Sequence, residues 1–182
     1  MKDHTKGFTL IELLVVILII AAIGLVTLVS APEQNNARIM NVAAQEITAT
    51  LHEAQSNTLA GNQVGGAQGF WGVAFSNATD TQPFMRLFYA TSTSGLASGT
   101  AEGYTPLPAH IAYTTTSIPL GGVLYVYYSN GALPALGTQG AYASCAGFTC
   151  PSTTIEIGLM TTSGAPALTS TVTVAPTGAV SY

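Results

Sequence analysis

Residues 8–31 read FTLIELLVVILIIAAIGLVTLVSA, an apolar run with one carboxylate, Glu12, near its start. No charged residue lies between Leu13 and Val29, and apolar side chains surround the whole helix, the pattern of a segment buried on all sides. A run of this length can cross a bilayer, which needs about 20 residues. The run therefore predicts a membrane-spanning helix. Glu12 needs a partner there, because a charged side chain at bilayer depth costs roughly 2.5–3.5 kcal/mol.

Beyond Pro32 the apolar residues become periodic. Small or apolar residues recur at alternating steps of three and four, at Ala37, Met40, Ala44, Ile47, Leu51, Ala54 and Thr58. Polar residues lie between them, which indicates an amphipathic helix with one narrow packing stripe. We predict one long helix, kinked at Pro32, with a transmembrane half over 8–31 and an amphipathic half over 32–61. The glycines of GNQVGG, residues 61–66, then end it.

Residues 62–182 are rich in β-branched and aromatic segments that are typical of strands. The predicted strands are residues 71–75, 84–90, 110–116, 123–128 and 153–160, followed by a terminal hairpin within 171–182. The Ser-, Gly- and Thr-rich stretch between 91 and 108 is predicted to be a long surface loop. The fold class is therefore α+β, with the long N-terminal helix packed on an antiparallel β-sheet.

The charge content restricts the possible partners. Charged residues make up 7% of the chain, whereas soluble domains usually carry about 25%. After the two leader lysines, only Arg38 and Arg86 are basic, against eight Asp and Glu in the whole chain. One copy cannot build a basic face for phosphates, so direct nucleic-acid binding is not expected.

The two cysteines lie in CAGFTC, at Cys145 and Cys150. A disulfide closing this small loop fits an exported protein, and a pair of reduced thiols is the alternative. Two thiolates with no nearby His or carboxylate leave zinc two ligands short, so no metal site is predicted.

The titratable residues do not form a recognisable catalytic pattern. Beyond the leader, a Ser-His-Asp relay would have to use Asp80 with His52 or His110, and no GxSxG elbow supports it. Glu46 and Glu53 are seven residues apart on one helix face, which is the usual arrangement of a solvated face. We therefore predict no enzymatic activity and no cofactor.

The lysine-bearing leader before the apolar run indicates an export signal. An ordinary signal peptide cleaved after Ala31 is one alternative, but Pro32 directly after the cut and Glu12 inside the hydrophobic region argue against it. The stretch KGFTLIELLVVILIIAAIG, residues 6–24, resembles the class III signal of type IV pilins and of the pseudopilins of type II secretion. The resemblance implies a pilin-like fold, cleavage of a leader peptide, residues 1–7, between Gly7 and Phe8 by a prepilin peptidase, and N-methylation of Phe8.

The same resemblance suggests a role for Glu12. Cleavage after Gly7 removes the leader lysines, and Arg38 lies roughly 39 Å farther along the helix. The nearby positive charge is then the new α-amine of Phe8, which Glu12 can reach within one chain or between chains. The family resemblance implies the second pairing, in which Glu12 registers each new subunit in a filament. The alternative is a carboxylate that extends into the lipid headgroups.

A looser resemblance concerns the branch of the family. AAQEITATLHEAQSNTLAGNQV, residues 43–64, and the terminal TVTVAPTGAVSY resemble GspH/FimT-type minor pseudopilins. The stretch between 91 and 108 and the CAGFTC loop have no counterpart in that pattern. Some FimT-type members bind DNA through basic residues near the C-terminus, and this chain departs from them because it has no Lys or Arg after Arg86.

Together with the helix and strand patterns, the resemblance implies a structural subunit of a type IV pilus-like or type II secretion pseudopilus filament. The resemblance implies prepilin peptidase, an inner-membrane assembly platform and other pilin or pseudopilin subunits as partners. It also implies a single-pass inner-membrane protein that later joins a cell-surface or periplasmic filament. The alternatives are a competence-associated minor pilin that takes up DNA with partner subunits, and a membrane-anchored surface protein that does not assemble.

Overall fold

The computed structural model describes residues 9–78, 82–131, 139–150, 154–162 and 167–182, and it describes only the backbone of residues 25–34, 95, 97–98 and 101. In chain order the elements are helix α1 (Leu10–Leu59), strands β1 (Phe70–Ser76) and β2 (Phe84–Ala90), a 3-10 helix (Thr93–Ser98), and strands β3 (Thr100–Pro106), β4 (Ile111–Tyr113), β5 (Val123–Ser129), β6 (Gly140–Ala146), β7 (Ile155–Thr161), β8 (Thr169–Val174) and β9 (Val180–Ser181).

Helix α1 is one continuous element of 50 residues. It ends at Leu59, close to the predicted end at Gly61, in a Schellman arrangement. The N–H of Asn62 donates to Asn57 O at 3.0 Å and the N–H of Gly61 donates to Thr58 O at 3.1 Å. Gly61 has φ +68°, a left-handed conformation that glycine adopts without steric penalty. The glycine therefore stops the helix and turns the chain towards β1.

The second half of α1 carries the packing stripe. Its buried residues are Met40, Ala43, Ala44, Ile47, Leu51, Ala54 and Thr58. The first helix residues in the described core are Ile39 and Met40, whereas Ala37 is exposed. The stripe therefore starts about one turn later than the spacing predicted, and Ala37 does not belong to it.

Two antiparallel sheets pack against this stripe, whereas the sequence predicted a single sheet. The first sheet has the order β3-β2-β1-β5-β6 and the second has the order β4-β7-β8-β9. Alternate residues of both sheets, such as Val73 and Val126 in the first and Ile157 and Val172 in the second, enter one core with Ile47 of the helix. The fold is α+β, with the helix packed on antiparallel sheets.

The prediction of a long surface loop between residues 91 and 108 is wrong. This stretch contains the 3-10 helix and strand β3, which pairs with β2 from Phe84↔Pro106 to Tyr89↔Thr100. The 3-10 helix places Leu96 in a cluster with Phe88 and other residues on the face of the first sheet opposite to α1. Strand β3 is an edge strand whose TAEGYTP sequence has no apolar alternation, so the pairing that defines it was not visible in its composition.

Strand β6 was also missed, and β4 is shorter than predicted. Strand β6, GAYASCA, pairs along its whole length with β5 but consists mainly of small residues. Strand β4 ends at Tyr113 because the chain then turns, with the N–H of Ile118 donating to Thr114 O at 2.9 Å. His110, predicted within this strand, lies in the preceding turn with φ +69°.

Candidate functional site

The predicted processing residues Gly7 and Phe8 lie outside the described residues, so cleavage and N-methylation stay predictions. The described residues begin at Thr9, directly after them. The described part of the candidate site therefore consists of Thr9, Glu12 and the first apolar turns of α1.

Thr9 is the N-cap of α1. It has extended geometry, with φ −81° and ψ 148°, and its hydroxyl accepts a hydrogen bond from the N–H of Glu12 at 3.4 Å. The Thr9 carbonyl accepts from the N–H of Leu13 at 3.3 Å. No cap was predicted at Thr9, although Thr9-x-x-Glu12 followed by an apolar run is the pattern of a capping box. The cap starts the helix immediately after the predicted cleavage point.

Glu12 is the acidic residue of the first helical turn, and it is exposed. The N-terminus of a helix carries a partial positive charge from its aligned peptide dipoles and unpaired N–H groups. A carboxylate at this position is therefore stabilised by its own helix as well as by any cation nearby. The sequence predicted the α-amine of Phe8 as the partner of Glu12, and the helix N-terminus adds to that support.

The helix around Glu12 presents an apolar surface that nothing covers within the described chain. Exposure ranges from 83% at Leu10 to 46% at Val16, and residues 10–20 other than Glu12 are all large and apolar. The sheets pack on the opposite end of α1, from Ile39 onward. An exposed apolar surface of this extent is typical of an interaction site.

Within the described residues, no helix satisfies the length and hydropathy expected of a membrane-crossing segment. The predicted span, residues 8–31, includes Phe8 and the side chains of 25–31, which lie outside the described part.

Residues 2–28 match the prokaryotic N-terminal methylation motif. The matched range contains Gly7, Phe8 and Glu12, the residues from which processing and assembly were predicted, and it is consistent with type IV pilin-like proteins. The match ends in the first half of α1 and does not include the sheets. A comparison of the chain with curated proteins and with solved structures gives no match.

The remaining predicted residues lie in the β-rich part. Cys145 at the end of β6 and Cys150 form a disulfide, with their Cα atoms 5.4 Å apart, a separation that suits a disulfide. Of the two basic residues beyond the leader, Arg38 is on the exposed side of α1 and Arg86 is half-buried on β2. They lie on different elements. No group of three potential metal ligands occurs in the described ranges.

Proposed function

We propose that this chain is a structural subunit of a type IV pilus-like or type II secretion pseudopilus filament. The observation that carries the proposal is the methylation motif at residues 2–28, followed by a helix whose first eleven residues leave their apolar side chains exposed. Prepilin peptidase cleaves between Gly7 and Phe8, and the α-amine of Phe8 is methylated. We extend the proposal to a minor subunit of the GspH/FimT type, on the sequence resemblance of residues 43–64 and 171–182.

The exposed apolar surface of α1 must be buried in two successive environments. Before assembly, the surface lies in the inner membrane, and the sheets lie outside the cytoplasm, where the Cys145–Cys150 disulfide can persist. After extraction by the assembly platform, the same surface packs against other subunit helices, because apolar surface is driven out of water. In this scheme the chain has a structural role and no catalytic one.

Glu12 provides the register of assembly. Its carboxylate pairs with the α-amine of Phe8 on a neighbouring subunit, and Thr9 fixes the first turn from which Glu12 projects. A charge that is costly when alone in an apolar layer and paired in the filament makes correctly registered assembly selective.

The first experiment is mass spectrometry of the N-terminus of protein sheared from cells. N-methylated Phe8 as the first residue of sheared filaments is the expected result. An intact Met1, or a chain that starts at Pro32, would contradict the proposal and favour a plain anchor or a secreted β domain.

The second experiment separates assembly from processing. Glu12→Leu should reach the membrane and be processed at Phe8, but it should be lost from the sheared fraction, because the paired charge is absent. Glu53→Gln is the matched control, since Glu53 is exposed on the second half of the same helix. Equal amounts of Glu12→Leu and wild-type subunit in the sheared fraction would contradict the assigned role of Glu12.

A further inference from the structure

A cleft of about 540 Å³ opens on the face of the second sheet that points away from α1. In β7, Ile155, Ile157 and Leu159 are buried in the core, so the alternating residues Glu156 and Gly158 face the other side, where both line the cleft. The volume lies in the usual range of small-molecule sites, about 300–1,000 Å³. The proposed filament function makes no use of this cleft.

One wall of the cleft is the turn after β4, and hydrogen bonds fix it to β7. The N–H of Thr114 donates to Gly158 O at 2.8 Å, and the N–H of Gly158 donates to Ser117 Oγ at 3.1 Å. A Cβ added at Gly158 would collide with the Thr114 side chain, which would have to move. Glycine at 158 therefore lets the turn lie directly on the strand.

The disulfide loop also lines the cleft. The Cys145–Cys150 bond closes a loop that carries Phe148 and Thr149 into the cleft. The Phe148 ring packs against the core and against Gly122, where an added Cβ would lie 3.1 Å from Phe148 Cδ1. Phe148 stays half-buried, so part of its ring remains available to a ligand.

Most of the residues that line the cleft carry hydroxyl groups. Six hydroxyl-bearing residues line the cleft: Thr114, Thr116, Ser117, Thr149, Thr154 and Thr171. Glu156 is the carboxylate among the described lining residues, and it is exposed. The sequence has no Lys or Arg after Arg86, and the described lining comes from residues 114–171. An anionic ligand would therefore find no positive counter-charge there.

We propose that this cleft binds a neutral saccharide. The hydroxyls of Thr114, Thr116 and Ser117 hydrogen-bond to one another, and Thr149, Thr154 and Thr171 add three further hydroxyls to the lining. Hydroxyl side chains both donate and accept hydrogen bonds, which matches a ligand that presents many hydroxyl groups. The Glu156 carboxylate accepts hydrogen bonds from sugar hydroxyls, and such charge-assisted bonds are the stronger ones. The Phe148 ring contacts the apolar C–H face of a sugar ring, whose burial is favourable. As part of a filament subunit, the site would attach the assembly to surface glycans or to an exported polysaccharide.

The test uses the full chain in a zwitterionic detergent without a sugar headgroup, because a glycoside detergent would compete for the cleft. The probes are the methyl glycosides of glucose, galactose, mannose and N-acetylglucosamine, each at millimolar concentration, and saturation-transfer NMR reports binding. We expect transfer to at least one glycoside. Glu156→Gln keeps the shape of the side chain and should weaken that binding roughly tenfold through loss of a charge-assisted hydrogen bond.

Glu102→Gln is the matched control, because Glu102 is an exposed carboxylate on β3, outside the cleft, and this variant should bind as the wild type does. Absence of transfer to all four glycosides would overturn the proposal. Equal binding by wild type and Glu156→Gln would place the saccharide elsewhere and would also overturn it. Calcium chloride alone is a further probe, and a Glu156-dependent response to calcium without a saccharide signal would make the cleft a cation site instead. None of these readouts depends on filament assembly.

Discussion

Tyr113 and Tyr128 both enter the core, but their hydroxyls have different surroundings. The hydroxyl of Tyr113 donates to Phe84 O at 3.2 Å. The hydroxyl of Tyr128 is buried and has no hydrogen-bond partner among the described residues. A satisfied buried hydrogen bond contributes about 1 kcal/mol, whereas an unsatisfied buried polar group costs about 1–3 kcal/mol. The two tyrosines should therefore respond in opposite directions to loss of the hydroxyl.

We expect Tyr128→Phe to raise the free energy of unfolding by about 1 kcal/mol and Tyr113→Phe to lower it by about 1 kcal/mol. Urea denaturation of the full chain in detergent, followed by fluorescence, measures both values. A loss of stability in Tyr128→Phe would contradict the prediction. It would indicate a bound water in the cavity of about 20 Å³ beside Tyr128, which is large enough to hold one.

The same side chains make stability depend on alkaline pH. Burial raises the pKa values of Tyr113, Tyr127 and Tyr128 above the ordinary value of 10.0, and for Tyr127 the nearby Tyr142 adds to the effect. Because the folded pKa is the higher one, the unfolded chain loses these protons first. The stabilisation is thus complete below about pH 10 and is lost as the pH rises towards the folded pKa values.

We therefore expect the free energy of unfolding to be level from pH 8 to 9 and to fall above about pH 10. Tyr113→Phe should make this fall less steep, because one linked proton is removed. Tyr127→Phe should act in the same direction, because burial also raises the pKa of Tyr127. A slope that is the same in Tyr113→Phe and wild type would contradict the prediction.

At the scale of elements, one threonine joins the end of α1 to the start of β1. The N–H of Trp71 donates to Thr58 Oγ1 at 2.9 Å, and Thr58 is buried. The pairing of β1 with β5 begins only at Gly72↔Tyr127, so Thr58 supplies the partner that a strand residue would otherwise give to Trp71. The Thr58 hydroxyl therefore satisfies the Trp71 N–H and links the end of α1 to the start of β1.

We expect Thr58→Val, which keeps the shape but leaves the Trp71 N–H without a partner, to cost about 1–3 kcal/mol of stability. Thr58→Ser keeps the hydroxyl and loses only a methyl group, so its loss should be smaller. The denaturant midpoints of the two variants, compared with that of the wild type, measure both losses of stability. Equal losses would mean that the methyl group, and not the hydroxyl, makes the important contact.

At the scale of the whole molecule, sequence patterns predicted the elements that bury a continuous or alternating apolar face. The helix and strands β1, β2, β5 and β7 are of this kind. Strands β3 and β6 consist mainly of small or polar residues, and the neighbouring strands define them, so composition could not reveal them. The division into two sheets depends likewise on long-range pairing, which local spacing does not encode.

The two candidate sites, the N-terminal motif and the cleft, also differ in how far the sequence could predict them. Gly7, Phe8 and Glu12 form a contiguous motif that can be read directly, and the family model matches the same stretch. The hydroxyl-lined cleft joins Thr114, Phe148 and Glu156, which are far apart in sequence. The pairing of β4 with β7 brings Thr114 close to β7, and the disulfide loop after β6 brings Phe148 to the cleft. No local pattern could have predicted it.

The shared core has a consequence for unfolding. The helix and both sheets contribute side chains to one cluster, so neither sheet can lose its packing without exposing residues of the other. Small single domains usually unfold in one cooperative step. A substitution in the second sheet should therefore destabilise the first sheet by the same amount, although the two sheets do not share a strand.

Ile157→Val tests this, because Ile157 is fully buried on β7 and the loss of one methylene there typically costs about 0.5–1.5 kcal/mol. The fluorescence of Trp71, the single tryptophan, reports the first sheet, and far-UV circular dichroism reports all elements. We expect both midpoints to shift together, while Leu120→Val, at a side chain that is 65% exposed, shifts neither. A fluorescence midpoint that stays at the wild-type value in Ile157→Val would show that the sheets unfold separately, and α1 would then bridge two independent units.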